Sequence, residues 1–135
     1  MNLIDNNEEI KSPISWNEHF MRQVYNSANK SKDFRTKIGC VLVKDNIPIM
    51  SSYNGFPVGV KDLYSRYANK ETKYSFICHA EFNNIVFSAR LGISTLGSTC
   101  FSQGISCNEC TKALIQGGVK KLVVHKQWPN LTHSE

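Results

Sequence analysis

The chain has 135 residues, of which 41% are hydrophobic and 20% are charged, and its formal net charge is +5. This composition is typical of one globular domain and excludes an intrinsically disordered chain. No apolar run approaches the length of a transmembrane helix, and the polar N-terminal stretch does not have the pattern of a signal peptide. We therefore expect a single domain over residues 1–135, located in the cytoplasm, with no membrane partner.

The first third of the chain predicts a helix followed by a β-hairpin. Residues 1–14 are expected to form a flexible arm, and Ser15–Glu18 has the pattern of a capping box that starts a helix running to about Asn29. The predicted buried stripe of this helix has fourfold spacing: Trp16, Phe20, Val24 and Ala28. The β-rich stretches Ile38–Val43 and Ile49–Tyr53 are separated by turn residues and predict two antiparallel strands.

Residues 54–77 are mixed in character and predict a long connection. Gly and Pro residues open this segment, and only a short helix at Leu63–Asn69 is indicated. A connection of this length is unusual in a small domain unless it has a function. We interpret residues 54–77 as an insert that forms a lid, an effector site or a subunit contact.

The remainder of the chain predicts alternating helices and strands. Helices are expected from His79 to Leu91, ending at Gly92, and from Asn108 to Gln116. The buried stripe of the first of these is expected to comprise Ile85, Val86 and Ala89. Strands are expected at Ser98–Ser102 and Lys121–His125. This order predicts an α/β fold in which a three-layer α/β/α sandwich surrounds a mixed sheet.

A histidine and two cysteines have the spacing of a metal site. Cys107 and Cys110 are separated by two residues, and both they and His79 lie at predicted helix starts. The partial positive charge of a helix N-terminus favours thiolate over thiol. Five cysteines in a chain without export signals are more often thiols or metal ligands than a disulfide framework. We therefore predict a zinc ion bound by one imidazole and two thiolates.

Glu81 follows His79 by two positions and is predicted to act on protons. Three protein ligands leave one zinc position for water, which is typical of catalytic sites. A carboxylate beside that position can act first as a general base and then as a general acid. Taken singly, a histidine at a helix start is more often a cap, and a glutamate there usually interacts with the helix dipole. The joint pattern favours the catalytic interpretation.

Cys78 leaves a second interpretation open. As a fourth ligand it would close the zinc site and give a non-catalytic, zinc-stabilised binding module. Its side chain is expected to point away from that of its neighbour His79, so we interpret it as a small buried hydrophobic residue.

The pattern His-x-Glu followed by Cys-x-x-C resembles the zinc-dependent cytidine deaminase superfamily. Three stretches are similar to the deoxycytidylate (dCMP) deaminase family in particular: SYNGFPVGV, HAEFNNI and CNECTKALIQGGVKKLVV. The resemblance extends from about Ser15 to Val124. It implies a cytidine-deaminase-like fold and hydrolysis of dCMP to dUMP and ammonia, which supplies the precursor of dTTP.

The resemblance also implies roles for single residues. His79, Cys107 and Cys110 correspond to the zinc ligands and Glu81 to the proton shuttle. Two positions correspond to contacts with the nucleoside: the backbone of Ala80 for the pyrimidine edge and Asn54 for the sugar. A basic residue among Lys32, Arg35 and Lys37 is implied for the 5′-phosphate, and we select Lys37.

Members of this family are typically hexamers that dCTP activates and dTTP inhibits. We therefore expect a homohexamer with effector contacts at Gly55 and Asp62, and a nucleoside triphosphate effector would bring Mg²⁺ with it. Two positions depart from the family pattern. Ser106 replaces a proline before the first zinc cysteine, and Val58 replaces an arginine near the effector, which puts effector affinity in question.

A deaminase that acts on a base within tRNA or single-stranded nucleic acid is the alternative enzyme. The segment Lys30–Lys37 contains four basic residues, but no long basic tract interleaved with aromatic residues extends it. We therefore favour a free nucleotide over a polymer as the substrate.

Overall fold

The computed structural model describes residues 7–125. Helices and strands alternate irregularly over this range. In chain order the elements are α1 (Trp16–Ala28), β1 (Gly39–Lys44), β2 (Ile47–Tyr53), α2 (Tyr64–Ala68), α3 (Lys70–Phe76), α4 (Ala80–Leu91), β3 (Thr99–Ser102), α5 (Asn108–Gln116) and β4 (Lys121–Val124).

The four strands form one mixed sheet in the order β2-β1-β3-β4. Strand β1 is antiparallel to both β2 and β3, whereas β3 and β4 are parallel. The β1–β2 hairpin turns at Asp45 and Asn46, whose φ angles of 54° and 60° are in the left-handed region that Asn and Asp tolerate best after glycine. The predicted hairpin is confirmed.

Helices cover both faces of the sheet, which confirms the predicted three-layer α/β/α arrangement. Side chains alternate along β1, so that Val41 and Val43 face one helix layer while Cys40 and Leu42 face the other. The core under α1 consists of Phe20, Met21, Val24, Val41, Val43 and Phe101. The core under α4 and α5 consists of Cys40, Leu42, Ala80, Cys100 and Leu114.

Helix α1 starts as predicted but buries a different set of residues. The Ser15 hydroxyl accepts a hydrogen bond from the Glu18 backbone N–H at 3.1 Å and caps the helix. Trp16, expected in the buried stripe, is 57% exposed, and its ring stacks on Phe20 with 5.6 Å between centroids. The prediction for Trp16 is therefore wrong, because the indole contacts the core only from outside, through the ring of the buried Phe20.

Helix α4 ends as predicted, with Gly92 in the left-handed conformation at φ 70°. Its predicted apolar stripe is wrong, because Val86 and Ala89 are exposed and Ile85 is only half-buried. The buried face is instead largely polar: Ala80, Glu81, Asn83, Asn84 and Ser88. Glu81 and Asn84 on this face accept hydrogen bonds from serine hydroxyls of the sheet, whereas the buried Ser88 hydroxyl has no partner among the described residues.

The insert 54–77 contains two short helices, not the single one predicted. Asn69 separates them, and its Oδ1 accepts from the Thr72 backbone N–H at 2.9 Å to cap α3. The two ends of the insert meet, because Gly55 and Cys78 exchange backbone hydrogen bonds of 3.1 and 2.7 Å. Its interpretation as a lid, effector site or subunit contact stays a prediction.

The N-terminal arm lies partly outside the described range. Residues 7–14 form neither helix nor strand, and residues 1–6 lie outside the described residues, so the flexibility of the arm stays a prediction. Within the described part, every helix is too short or too polar to cross a bilayer.

Candidate metal centre and catalytic cavity

The starts of α4 and α5 bring one histidine and two cysteines together. His79 is the N-cap residue of α4, Cys107 is the N-cap residue of α5, and Cys110 lies in the first turn of α5. His79 Nδ1 lies 3.3 Å from Cys107 Sγ and 3.4 Å from Cys110 Sγ. The three predicted metal ligands therefore converge from two separate helices.

The chemistry of this donor set fits zinc. One imidazole nitrogen and two sulfurs lie within 4.8 Å of one another, and this N/S set is one that zinc binds in proteins. Between residues 7 and 125, no other histidine, cysteine or carboxylate joins the cluster. Cys78 is half-buried, not buried as expected, and it is not a member of the cluster. Three ligands of this kind would leave a coordination position open.

The Cys110 thiol must lose its proton before it can bind a metal ion. Burial raises the pKa of the Cys110 thiol, and the nearby negative charge of Glu81 raises it further. Without a cation the buried sulfur therefore keeps its proton. Metal binding requires thiolates, so it would release protons and would be weakened by acid.

Glu81 is buried beside the cluster without belonging to it. Its side chain lines the same cavity as His79 and Cys107 and is 6% exposed. Its Oε1 accepts a hydrogen bond of 2.8 Å from the hydroxyl of Ser102, at the end of β3. This placement is compatible with proton transfer at a neighbouring metal, and the role itself stays a prediction.

A cavity of about 440 Å³ lies in front of these groups. Its floor consists of the starts of α4 and α5, and its sides consist of the segment 33–38, the loop 104–107 and helix α3 of the insert. This volume is in the range of small-molecule sites. The insert therefore supplies one wall of the cavity.

The predicted substrate contacts Asn54 and Ala80 both line the cavity. Asn54 Oδ1 accepts from the Ile38 backbone N–H, and its Nδ2 donates to the Thr36 carbonyl, both at 2.9 Å. The Ala80 carbonyl accepts from the Ser52 hydroxyl at 2.9 Å. Both residues thus shape the wall, and their contacts to a substrate stay predictions.

Gln103 holds the same wall from the other side and was missed in the sequence. Its Oε1 accepts from the Gly39 N–H at 2.6 Å, and its Nε2 donates to the Lys37 carbonyl at 3.3 Å. The buried side-chain amides of Asn54 and Gln103 therefore bond to the backbone of four successive residues, 36–39. The available signal was a pair of polar residues at the end of β3, Ser102 and Gln103, shortly before Cys107.

Some basic side chains of the segment 30–37 line the cavity, and others bind elsewhere on the protein. Arg35 and Lys37 line the cavity, and the Lys37 ammonium also donates to the Ser31 carbonyl. Lys32, by contrast, forms an ion pair of 2.9 Å with Asp62. Arg35 and Lys37 therefore remain as the candidates for an anionic group of a ligand.

The two predicted effector contacts already have partners in the structure. Both backbone groups of Gly55 bond to Cys78. Asp62 accepts from Lys32 through Oδ2 and from the Tyr67 hydroxyl through Oδ1, both at 2.9 Å. A ligand at either residue would have to compete with these bonds, and the effector role of both stays a prediction.

Comparison with known proteins agrees with the geometry of this site. The sequence model of the cytidine and deoxycytidylate deaminase zinc-binding region matches residues 14–126. The chain belongs to this deaminase family. The resemblance found in the sequence is thereby confirmed, and the zinc-binding character of the family agrees with the His/Cys/Cys donor set.

Named relatives carry deoxycytidylate deaminase descriptions. The chain is 35% identical to deoxycytidylate deaminase of Homo sapiens over 116 residues, which cover 82% of this chain and 64% of the relative. It is 36% identical to a probable deoxycytidylate deaminase of Caenorhabditis elegans, covering 89% of this chain and 60% of the relative. The match thus spans less than two thirds of the length of these curated relatives.

A solved structure shows the same fold. The dCMP deaminase of cyanophage S-TIM5, crystallised in complex with dCMP and dUMP, superimposes with a TM-score of 0.71 at 28% identity. The alignment covers 84% of this chain and 82% of the phage protein. The predicted cytidine-deaminase-like fold is therefore confirmed.

The open donor set predicts which cysteine binds zinc. We expect Cys107→Ser to lose most of its bound zinc, because the thiolate is replaced by a poor ligand, whereas Cys78→Ser keeps the wild-type stoichiometry. Inductively coupled plasma mass spectrometry of the purified variants measures this. Loss of zinc from Cys78→Ser would instead support a closed, structural site.

The buried pair Asp33–Lys73 predicts an acid-sensitive cavity wall. Lys73 Nζ lies 2.8 Å from Asp33 Oδ2, and the two side chains are 10% and 1% exposed. Desolvation by itself raises the pKa of the Asp33 carboxyl, but bonds from Lys73 and from the Arg35 and Thr36 N–H groups outweigh it, so the pKa lies below its ordinary value. The stabilisation is therefore present above the unfolded pKa of about 3.9 and is lost as the pH falls through the lower folded value.

We expect Asp33→Asn to lower the free energy of unfolding at pH 7 by about 3 kcal/mol, because the buried Lys73 ammonium loses its counter-ion. Below about pH 4 the difference from wild type should shrink, since acid neutralises Asp33 in both the wild-type native state and the unfolded chain. Urea unfolding at a series of pH values measures this. A difference that is independent of pH would contradict the assignment.

Proposed function

We propose that this protein hydrolyses dCMP to dUMP and ammonia and so supplies a precursor of dTTP. The observation that carries the proposal is the placement of Glu81 beside the His79, Cys107 and Cys110 donors in one cavity whose rim carries Arg35 and Lys37. The dCMP deaminase descriptions of the human and phage relatives support the same substrate. Zinc is the cofactor that the donor set fits.

The reaction adds water at C4 of the pyrimidine and releases the exocyclic amine. Zinc, when bound, would lower the pKa of a water molecule towards about 7 and so make hydroxide available near neutral pH. Glu81 accepts the proton of the attacking water and delivers it to ring N3. It then transfers the proton of the new C4 hydroxyl to the departing amine, so that the carbonyl of dUMP and ammonia are formed.

The chain's own groups orient the substrate. The Ala80 N–H is the first of helix α4 and has no acceptor within the helix, so it is available to the pyrimidine edge. Asn54 donates one of its two amide protons to Thr36, which leaves the second for the sugar. Lys37 and Arg35 attract the 5′-phosphate at the rim of the cavity.

The proposed function also includes regulation by nucleotides and assembly into an oligomer. We propose a cytoplasmic homohexamer controlled by dCTP and dTTP, with Gly55 and Asp62 as effector contacts. The exposed aromatic side chains of Tyr64 and Tyr74 on the insert, 76% and 60% exposed, are compatible with a subunit or ligand contact there. Neither the described residues nor the relatives support Mg²⁺, so zinc is the metal we propose.

The proposed phosphate contact predicts a selective loss. We expect Lys37→Ala to lower kcat/KM for dCMP about tenfold, the effect of one hydrogen bond to a charged group, while kcat/KM for deoxycytidine stays within twofold. Chromatographic product assays of zinc-loaded protein measure both substrates, and Lys30→Ala, an exposed lysine of the same segment, is the matched control. Equal losses for both substrates would contradict a phosphate contact.

The same assay separates the alternative substrate class. Deamination of cytosine or adenine in single-stranded nucleic acid, with affinity that falls steeply as salt rises, would favour a polymer substrate. Turnover of dCMP alone favours the proposed function.

The proton-transfer role of Glu81 predicts a loss of turnover without a loss of metal. We expect Glu81→Ala to retain zinc and to lower kcat for dCMP by at least about a thousandfold. Glu109→Ala, which removes an exposed glutamate from the first turn of α5, is the control and should retain activity. Near-normal turnover of the zinc-loaded Glu81 variant would reject the mechanism.

A further inference from the structure

The carboxylate of Glu81 is held in an unusual environment for a buried charge. Within residues 7–125 it forms no ion pair with a lysine or arginine. Within the same residues its carboxylate accepts one hydrogen bond, from the Ser102 hydroxyl to Oε1 at 2.8 Å. A buried carboxylate without a partner is costly, so this hydroxyl is the main group that fixes it.

Ser102 is itself placed by the sheet. It is the last residue of β3, is fully buried, and lies opposite Cys40 of β1. On the other side its carbonyl accepts from the His125 N–H at 3.2 Å, directly after β4. Strand β3 thus has a paired neighbour on each side, which fixes the backbone of Ser102 and limits its hydroxyl to the few χ1 rotamers. Glu81, in contrast, has a long side chain with several rotatable bonds.

The helix that carries Glu81 has a separate anchor. The Ser52 hydroxyl of β2 donates either to the Ala80 carbonyl at 2.9 Å or to Asn84 Oδ1 at 2.7 Å. The first turn of α4 is therefore attached to the sheet independently of Ser102. Removal of the Ser102 hydroxyl would release the Glu81 side chain but leave the helix and His79 in place.

We propose that Ser102 is a positioning residue, whose hydroxyl holds Oε1 of Glu81 so that Oε2 faces the reacting atoms. This rests on the proposed function of Glu81 as the proton shuttle. Proton transfer requires the carboxylate within hydrogen-bond distance of its target, and a side chain that samples several rotamers is seldom there. Loss of the hydroxyl therefore lowers the chemical step and leaves substrate binding unchanged.

The test compares three variants of the zinc-loaded full-length protein with dCMP as the substrate. We expect Ser102→Ala to lower kcat roughly ten- to a hundredfold, with KM within twofold, zinc content unchanged and a thermal midpoint lowered by only a few degrees. Ser102→Thr keeps a hydroxyl on a β-branched side chain and should restore most of kcat. Ser98→Ala is the matched control, because it removes a buried hydroxyl that donates to the Thr95 carbonyl at 2.7 Å just before the same strand.

Two kinetic results would overturn the proposal. One is a wild-type kcat in Ser102→Ala, and the other is an equal loss in Ser102→Ala and in a folded Ser102→Thr. Crystal structures of wild type and Ser102→Ala give a readout that needs no turnover: we expect one Glu81 rotamer in the wild type and a displaced or multiple conformer in the variant. An unchanged rotamer would contradict the proposal. An inactive wild type with a displaced Glu81 in the variant would reject dCMP as the substrate while retaining the positioning role.

Discussion

The meeting of two helix starts at one point is the constraint on which the candidate site depends. His79 precedes α4 and Cys107 precedes α5, so the positions of these side chains are set by where each helix begins. Both helices pack on the same face of the sheet, through Ala80 and Leu114. A shift of either helix along the sheet by one turn, about 5.4 Å, would separate the imidazole from the thiols. Core packing and metal affinity are therefore coupled.

The polar buried face of α4 follows from this constraint. A helix that packs on a sheet normally buries aliphatic residues, yet α4 buries Glu81, Asn84 and Ser88. Two of these have assigned partners: Ser102 bonds to Glu81, and Ser52 bonds to Asn84. The helix loses apolar burial there and gains two oriented polar side chains, of which Glu81 lines the cavity. Such a face contributes less to stability than to placing reactive groups.

Local signals in the sequence were sufficient for much of the fold. The Ser15 cap, the Asp45–Asn46 turn and Gly92 act through residues close to them in the chain, so α1, the hairpin and the end of α4 could be predicted. The cluster of His79, Cys107 and Cys110 could be predicted because zinc chemistry restricts both residue type and spacing. Their roles in binding and catalysis rest on the same chemistry.

Contacts between segments that are distant in the chain could not be predicted from local sequence signals. Fourfold spacing alone did not distinguish Trp16, whose ring lies outside Phe20, from the buried residues of α1. The apolar residues of α4 gave no indication that its polar side faces inwards. Gln103 bonds to Gly39, 64 positions earlier in the chain, and nothing near either residue indicates that bond. Helix α3 was missed because its apolar residues are few and its start is marked only by Asn69.

The backbone pairing of Gly55 with Cys78 separates the insert, which forms one wall of the cavity, from the start of α4. Gly55 and Cys78 bond to each other, and Cys78 directly precedes His79. The span between the end of β2 and the first metal ligand is therefore set by that backbone pair and not by the length of chain in between. Within residues 56–77 the shape of the cavity wall can therefore differ without a change in that span, provided that the buried Asp33–Lys73 ion pair is kept. A designer seeking altered selectivity would begin there.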